Sequence, residues 1–484
     1  MHFWFIINSF ARIAIALSIF MATPILWAIH FHEDAMVWIF GELSLFTLLS
    51  GLIILLLSHK KRQPPSQKDR YFIVSMAWFF LGLLGAMPFY FSGYVPSMTD
   101  AMFESVSGFS TTGASILTDV EVLPYSLLFW RSLTHWIGGM GIILLVIAVF
   151  PMFRTTGYQM FNMEASTLLN QKLKPHFADI ARRLWAIYIG ITIVLVALLM
   201  LGGLNFFDSL CHAFGTVATG GFSTKNASIG AFSPHIQYVI ALFMIISGMN
   251  FTLHYFLLKG DFKKLTSNSE LKLYLSIIIV FTLVIASILY FEKYPEIEKA
   301  FRIALFQVAS ILTATGFATD DYLMWPTQGW IFIFALLFIG GCVGSTSGGP
   351  KVIRYVFTLK YSLKKFLALL HPKAIINIKI NGRNVTQTQV SSVLSFIMFY
   401  FLVFAFGTFC MSLLGVDLAT AMGSVITAQG GVGPGIGTVG PASNFAHLPD
   451  LGKILLTILM IAGRLELYTF LILFTPHFWK SNIN

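Results

Sequence analysis

Four short turns rich in Thr and Gly recur along this 484-residue chain, each set between two long apolar stretches. They read STTGAS at Ser110–Ser115, ATGGFST at Ala218–Thr224, TATGFAT at Thr313–Thr319 and AQGGVGPGIG at Ala428–Gly437. Their glycines Gly113, Gly220, Gly316 and Gly433 are separated by 107, 96 and 117 residues. An apolar–turn–apolar unit written four times is an internal repeat. Glycine tolerates the positive φ that turns a carbonyl toward an axis, and rings of backbone carbonyls can replace the hydration shell of a cation. The repeat therefore predicts a four-fold pseudosymmetric cation pore made from one chain. A single Thr-Gly pair would carry no such weight, because small residues also serve helix packing in membranes.

Composition places the repeat in lipid. The chain is 56% hydrophobic and 11% charged, with mean hydropathy +0.78, whereas soluble chains carry roughly 25% charged residues. A soluble enzyme is excluded. The three cysteines, Cys211, Cys342 and Cys410, form no disulfide or zinc spacing, and the twelve histidines form no HExxH. The first apolar stretch, Phe3–Ala28, lacks a basic start and is too long for a signal-peptide core, so it is expected as a mature span. The net charge of +10 does not indicate nucleic acid, because loops Ser58–Arg70, Met152–Arg183, Lys259–Lys272 and Lys351–Arg383 hold 22 of the 31 Lys and Arg. Acids such as Glu33, Asp34, Asp119, Glu121, Asp320 and Asp321 fall in the alternate loops. By the positive-inside rule the basic loops are cytoplasmic, and the same face is suited to docking a partner.

The expected class is an all-α polytopic membrane protein with four pseudosymmetric pore units behind two leading transmembrane helices. Residues 1–70 hold the two leading helices, Phe3–His30 and Met36–Ser58, and a basic linker. Unit one is 71–153, unit two 154–258, unit three 259–383 and unit four 384–484. Each unit is read as a span, a short half-membrane helix with its turn, and a second span: Tyr71–Gly93 and Pro124–Phe153, Leu184–Leu204 and Pro234–Leu258, Leu273–Phe291 and Pro326–Lys365, Gln389–Leu414 and Leu448–Trp479. That makes ten spans and four half-spans. The short helices start near Asp100, Asp208, Glu298 and Asp417, acids that complement the positive end of a helix dipole. The negative ends then face a cation at mid-membrane.

Two features lie outside the turns. Gly340, Gly341, Gly344, Ser345, Thr346, Ser347, Gly348 and Gly349 interrupt an apolar span, and irregular backbone at membrane depth is tolerated only when buried in protein or lining a cavity. Arg464 lies deep in the last span, where a charge is costly and a functional candidate by default; Glu466, two residues on, cannot face it on a helix. Arg131 and His135 are read as structural or interfacial. GVGPGIG resembles a dinucleotide fingerprint but has no preceding strand or following acid, and is rejected.

FWRSLTHWIGGMGII (Phe129–Ile143), the four turns, GGCVGSTSGGPKVIR (Gly340–Arg354) and GRLELYTFLIL (Gly463–Leu473) together resemble the membrane subunit of Trk-type potassium uptake systems, the TrkH family, related to Ktr and HKT transporters. The resemblance covers essentially the whole chain. It implies four M1–P–M2 units assembled as a homodimer, in lipid of a bacterial cytoplasmic (inner) membrane with both termini cytoplasmic. It also implies a cytoplasmic ring of TrkA-type regulatory subunits that bind the nucleotide, K+ as the transported ion, and no organic cofactor on this chain. Carried over by position, the potassium filter is Thr111, Thr112 and Gly113; Ala218, Thr219 and Gly220; Ala314, Thr315 and Gly316; Gly431, Val432 and Gly433. Plant relatives with serine in the first filter position tend to pass sodium, so Gly113 favours potassium. The fourth turn departs from the pattern, with Gly430–Gly431 where Trk members often carry asparagines. The Gly340–Gly349 segment corresponds to an intramembrane loop that obstructs the pore, and Arg464 to an arginine facing it; together they form the expected gate.

A gated potassium pore competes with a potassium symporter coupled to protons or sodium. Apart from Glu42 and Glu466 the spans show no acid relay, which disfavours coupling. A membrane-embedded enzyme lacks a metal cluster or a nucleophile–base pair in the pattern.

Overall fold

Helices account for nearly all the regular structure in the computed structural model, which describes residues 2–58, 66–148, 177–371 and 377–480. The basic stretch 59–65 and most of the Met152–Arg183 loop lie outside the described residues. Two leading helical segments come first: Phe3–Ala22 running on through Pro24–His30, then Asp34–Ser58. Pro24 opens the second piece, where its missing N–H costs no hydrogen bond. The pair packs closely at Gly51, where a Cβ would stand 2.7 Å from Ile15.

Four outer helices follow at Gln67–Phe91, Phe177–Leu201, Ser269–Glu292 and Gln387–Leu413. Each precedes a short helix: Met98–Phe109, Phe206–Val217, Ile297–Leu312 and Leu418–Gly430. At 1.5 Å per residue a twelve-residue helix is about 18 Å long, roughly half the hydrocarbon core. The short helices are buried over most of their surface. Side chains of Ser97, Asn205 and Asp417 cap three of them by accepting from the backbone N–H of Asp100, Asp208 and Thr420. In three of the units the inner helix reaches the next short helix: Tyr125–Ala148 packs on Phe206–Val217, Pro234–Ser247 on Ile297–Leu312, and Asp450–Arg464 on Met98–Phe109. The last contact returns from the fourth unit to the first, and Lys453 Nζ seals it at 2.6 Å from Asp100 Oδ1.

The inner segments depart from the expected continuous spans. Only the third is expected to be broken, yet three are. Pro234–Ser247 and Phe251–Leu258 meet at 101°, and Asp450–Arg464 and Tyr468–Phe474 at 112°. The first break falls at Gly248–Asn250, where Asn250 starts a new helix by accepting from Thr252 N–H at 2.8 Å. The other is made by Glu466 and Leu467, whose φ of 57° and 51° no helix allows. In the third unit Thr327–Leu336 and Val352–Leu370 flank a long irregular loop. Six described helices are therefore long and apolar enough to cross a membrane, or up to eight if each bent pair is one span. Among the described residues the β-structure is a two-residue hairpin, Lys379–Ile380 against Arg383–Asn384, closed by Asn381-Gly382 with φ of 48° and 77°.

Candidate functional site

All four short helices end in the same backbone motif. Thr111, Thr219, Ala314 and Gly431 are left-handed at φ 55°, 54°, 54° and 65°. Two residues later Gly113, Gly221, Gly316 and Gly433 are left-handed again, at 78°, 85°, 84° and 93°. Between them the N–H groups of Thr112, Gly220, Thr315 and Val432 donate to the carbonyls five residues back, of Ser107, Gly215, Ser310 and Thr427, at 2.8–3.0 Å. Helix and turn are thus superposable by residue: Thr112, Gly220, Thr315 and Val432 are equivalent, and the glycine matching Gly113 in the second unit is Gly221. The sequence spacing puts it one residue early, at Gly220, because the GG pair offers two choices and only φ distinguishes them.

The turns form a closed ring. A Cβ on Gly113 would lie 2.1 Å from the Gly220 oxygen, one on Gly221 2.0 Å from the Thr315 oxygen, one on Gly316 2.1 Å from the Val432 oxygen, and one on Gly433 2.9 Å from the Thr112 oxygen. Each glycine abuts the central carbonyl of the next unit, in chain order and back to the start. Only glycine meets both demands, positive φ and backbone-to-backbone approach. These four glycines line one vestibule of about 200 Å³, with Ser115, Ser223, Lys225, Asn226 and Asn444 among its walls. At its rim Asn226 donates to Asp119 at 2.7 Å and accepts from Val120 N–H, tying the outer loops of units one and two. The Asn226 amide, and then the Glu121 backbone N–H, hold the Asp119 carboxyl below the usual carboxylate range.

Behind the ring, units one and two share a buried polar brace. Arg131 Nε meets Glu104 Oε1 at 2.6 Å, Arg131 Nη1 donates to the Ser223 carbonyl at 3.0 Å, and the guanidinium lies 3.6 Å over the Phe222 ring. Glu104 also accepts from Ile116 N–H at 3.0 Å and from Ser115 Oγ. His135 Nδ1 sits 2.8 Å from the Gly108 carbonyl, while its Nε2 accepts from Phe222 N–H at 3.2 Å. That pairing fixes the Nδ1–H tautomer. The sequence reading of Arg131 and His135 as structural or interfacial agrees with these contacts, but Glu104 was not singled out. The signal was present: an acid inside a half-membrane helix, nine residues before Gly113. Glu104→Gln is expected to leave Arg131 buried without its counter-charge, at a cost of about 3 kcal/mol. Thermal unfolding of the detergent-solubilised protein measures it, and adding Arg131→Gln should recover part of the loss.

Beneath the ring lies the irregular segment that starts after Thr327–Leu336. Thr346 Oγ1 donates to the Val217 carbonyl at 3.0 Å and is 3.3 Å from Thr219 Oγ1. On the opposite side a Cβ on Gly348 would stand 2.3 Å from the Gly430 carbonyl oxygen. Gly340 N–H donates to Pro350 O at 2.5 Å, Gly341 N–H to Ser347 Oγ at 3.0 Å, and Ser345 Oγ to Cys342 O at 2.7 Å, so the loop is internally knitted. Gly344 and Gly349 take φ of 75° and 68°. Arg464 Nη1 donates to the Thr346 carbonyl at 2.9 Å and Nη2 to the Gly138 carbonyl at 3.2 Å. Glu466 instead binds Arg354, Oε2 to Nη2 at 2.6 Å. Glu270, a buried acid missed in the sequence, accepts from Val343 and Ile353 N–H at 2.8 and 3.0 Å and clamps both ends of the loop.

Fold and ring define a helical multi-pass membrane transport protein, with four glycine turns closing on one another at its centre. The family described as "TrkH: Cation transport protein" matches residues 39–481. The chain belongs to this TrkH family, whose members are transporters and not enzymes. It is 36% identical over 486 residues to "Trk system potassium uptake protein TrkH" of Salmonella typhimurium, covering 99% of this chain and 100% of the relative. With "Trk system potassium uptake protein TrkG" of Escherichia coli K12 it shares 33% over 468 residues, 96% of each. The crystal structure of the potassium transporter TrkH from Vibrio parahaemolyticus superposes with a TM-score of 0.91 at 34% identity, over 99% of this chain and 100% of that one.

Proposed function

We propose that the protein takes up potassium through the ring of turns into the cytoplasm of a bacterium. The observation that carries this reading is the closed circuit in which each glycine of the ring abuts the central carbonyl of its neighbour. It sets four turns at one axis, the arrangement that replaces water around a dehydrated cation. The ligand set would be Thr111–Gly113, Thr219–Gly221, Ala314–Gly316 and Gly431–Gly433. Thr111 Oγ1, buried without a hydrogen-bond partner among the described residues, supports a polar occupant there. The names of the relatives, Trk system potassium uptake proteins, support the choice of ion.

In this reading the Gly340–Gly349 loop and Arg464 are the gate. The protein works as a homodimer in the inner membrane with both termini cytoplasmic, and a TrkA-type nucleotide-binding ring acts on the loop from the basic face. Purified protein in vesicles, with a potassium gradient as the only driving force, tests the core of the proposal. Potassium and rubidium should enter and sodium and lithium should not; flux that needs a proton or sodium gradient would instead establish a symporter.

The docking component has its own test. Lys360, Lys364 and Lys365 lie on Val352–Leu370, the helix leaving the gate loop. Replacing all three with Ala should weaken co-purification of the regulatory ring about tenfold at low ionic strength, with a smaller difference at high salt, where exposed charges are screened. Equal recovery at both salt concentrations would assign these lysines to topology alone.

A further inference from the structure

The bend in the second inner segment opens a groove on the outside of the protein. Its walls are Gly190, Ile191 and Val194 of the outer helix and Phe243, Leu257 and Leu258 of the bent pair, enclosing about 500 Å³. His254 lies in it and spans the bend, Nε2 to the Ile246 carbonyl at 2.9 Å. The walls are almost wholly apolar, and one end is different. Arg183 precedes Ile187 and Gly190 along the same helical stripe, and Lys259 directly follows Leu258. Both cations converge on one aromatic ring: the Arg183 guanidinium is 5.4 Å and Lys259 Nζ 4.8 Å from the Tyr255 centroid. Arg183 Nη1 also donates to Tyr255 Oη at 2.8 Å. Neither is ion-paired with a carboxylate of the described residues, although neighbouring Lys264 takes Asp261 at 2.8 Å.

We infer that this groove holds one anionic phospholipid, its acyl chain along the stripe from Ile187 to Val194 and its phosphate between Arg183 and Lys259. Charge complementarity names the occupant. Two like charges against one ring lack a carboxylate partner among the described residues, and the basic loops put this end at the cytoplasmic headgroup level. The tail brings no preference, because leaving the bilayer for an apolar groove buries nothing new from water. Discrimination therefore resides in the headgroup, where each basic side chain favours an anionic lipid several-fold. The site lies one hydrogen bond from the loop beneath the ring, since Phe251 N–H, at the start of the helix bearing Tyr255, donates to the Gly344 carbonyl at 3.0 Å.

The test reads lipid retention rather than flux, so it stands apart from the proposed transport. Full-length protein from nanodiscs of equal phosphatidylglycerol and phosphatidylcholine, released for native mass spectrometry, should retain phosphatidylglycerol roughly tenfold over phosphatidylcholine. Arg183→Ala with Lys259→Ala should bring the two near parity; both side chains are exposed, so the fold does not depend on them. Gly190→Leu attacks the tail instead. A Cβ at Gly190 meets nothing within 4 Å, so the larger side chain enters the groove and should cut retention of phosphatidylglycerol while leaving both cations in place. Lys360→Ala with Lys364→Ala, charges remote from the groove, should change nothing. Parity in the unaltered protein, or undiminished enrichment in the double variant, would overturn the site. So would efficient cross-linking of Ile191→Cys between two copies in native membranes, which would make the groove a subunit contact; absence of that cross-link supports lipid.

Discussion

Gly221→Ser is expected to abolish potassium preference as thoroughly as Gly113→Ser. At both positions the substitution sets a Cβ about 2 Å from a neighbouring carbonyl oxygen, 2.0 Å at Gly221 and 2.1 Å at Gly113, and imposes positive φ on an L-residue at roughly 1–2 kcal/mol. Backbone cannot yield as a side-chain end can, so the neighbour's carbonyl must move. In a ring that discriminates by carbonyl position, each 1.4 kcal/mol of discrimination lost is about tenfold. The potassium/sodium permeability ratio in vesicles should fall at least tenfold in each variant. Gly41→Ser, at a position where a Cβ meets nothing within 4 Å, should leave it unchanged. Lost selectivity with Gly113→Ser but not with Gly221→Ser would return the second unit to the register that its spacing suggests.

Arg464→Ala should raise flux without any regulator while leaving ion preference intact. The guanidinium holds Thr346 of the loop and Gly138 of the first inner helix by their carbonyls, and no carboxylate of the described residues pairs with it in a salt bridge. If the gate assignment holds, that charge opposes a passing cation, reduced by the two carbonyls it is bonded to. At ~5 Å and an effective dielectric near 20, two unit charges repel by about 3 kcal/mol, on the order of 100-fold in rate. Alanine removes that barrier and the tether on Thr346 together. Deleting part of Gly344–Gly349 should act in the same direction. If both variants conduct no faster than the unaltered protein at equal incorporation, the gate lies elsewhere.

The helical architecture was legible because hydrophobicity and charge are one-dimensional signals. The outer helices start and stop within several residues of where apolar runs and basic loops put them, as with Gln387–Leu413 against the expected Gln389–Leu414. What escaped is what depends on φ or on distant neighbours. The bends at Gly248–Asn250 and Glu466–Leu467 sit in stretches as apolar as a straight span, and no single residue there forbids a helix. The register of the second turn was hidden in a GG pair. Glu104 and Glu270 were passed over because a lone acid has no visible partner until the fold brings Arg131 to one and the loop amides to the other. Arg464 was legible for the opposite reason, as a charge deep in an apolar span whose neighbouring acid, Glu466, stands two residues on and cannot face it on a helix.

The ring that is four-fold in backbone is only two-fold in chemistry. In units one and three a pair of hydroxyls clasps the turn, Ser110 to Thr112 and Thr313 to Thr315, each at 2.7 Å. The equivalents of those threonines in units two and four are Gly220 and Val432, which have no hydroxyl to offer. These are also the turns against which the loop beneath leans, through Thr346 to Thr219 and through Gly348 to Gly430. Two opposite quadrants of the ring are thus self-supporting, and the other two borrow their stiffness from the loop. Displacing that loop would take support from the unclasped pair and leave the clasped pair intact, so the ring would loosen along one diameter rather than evenly.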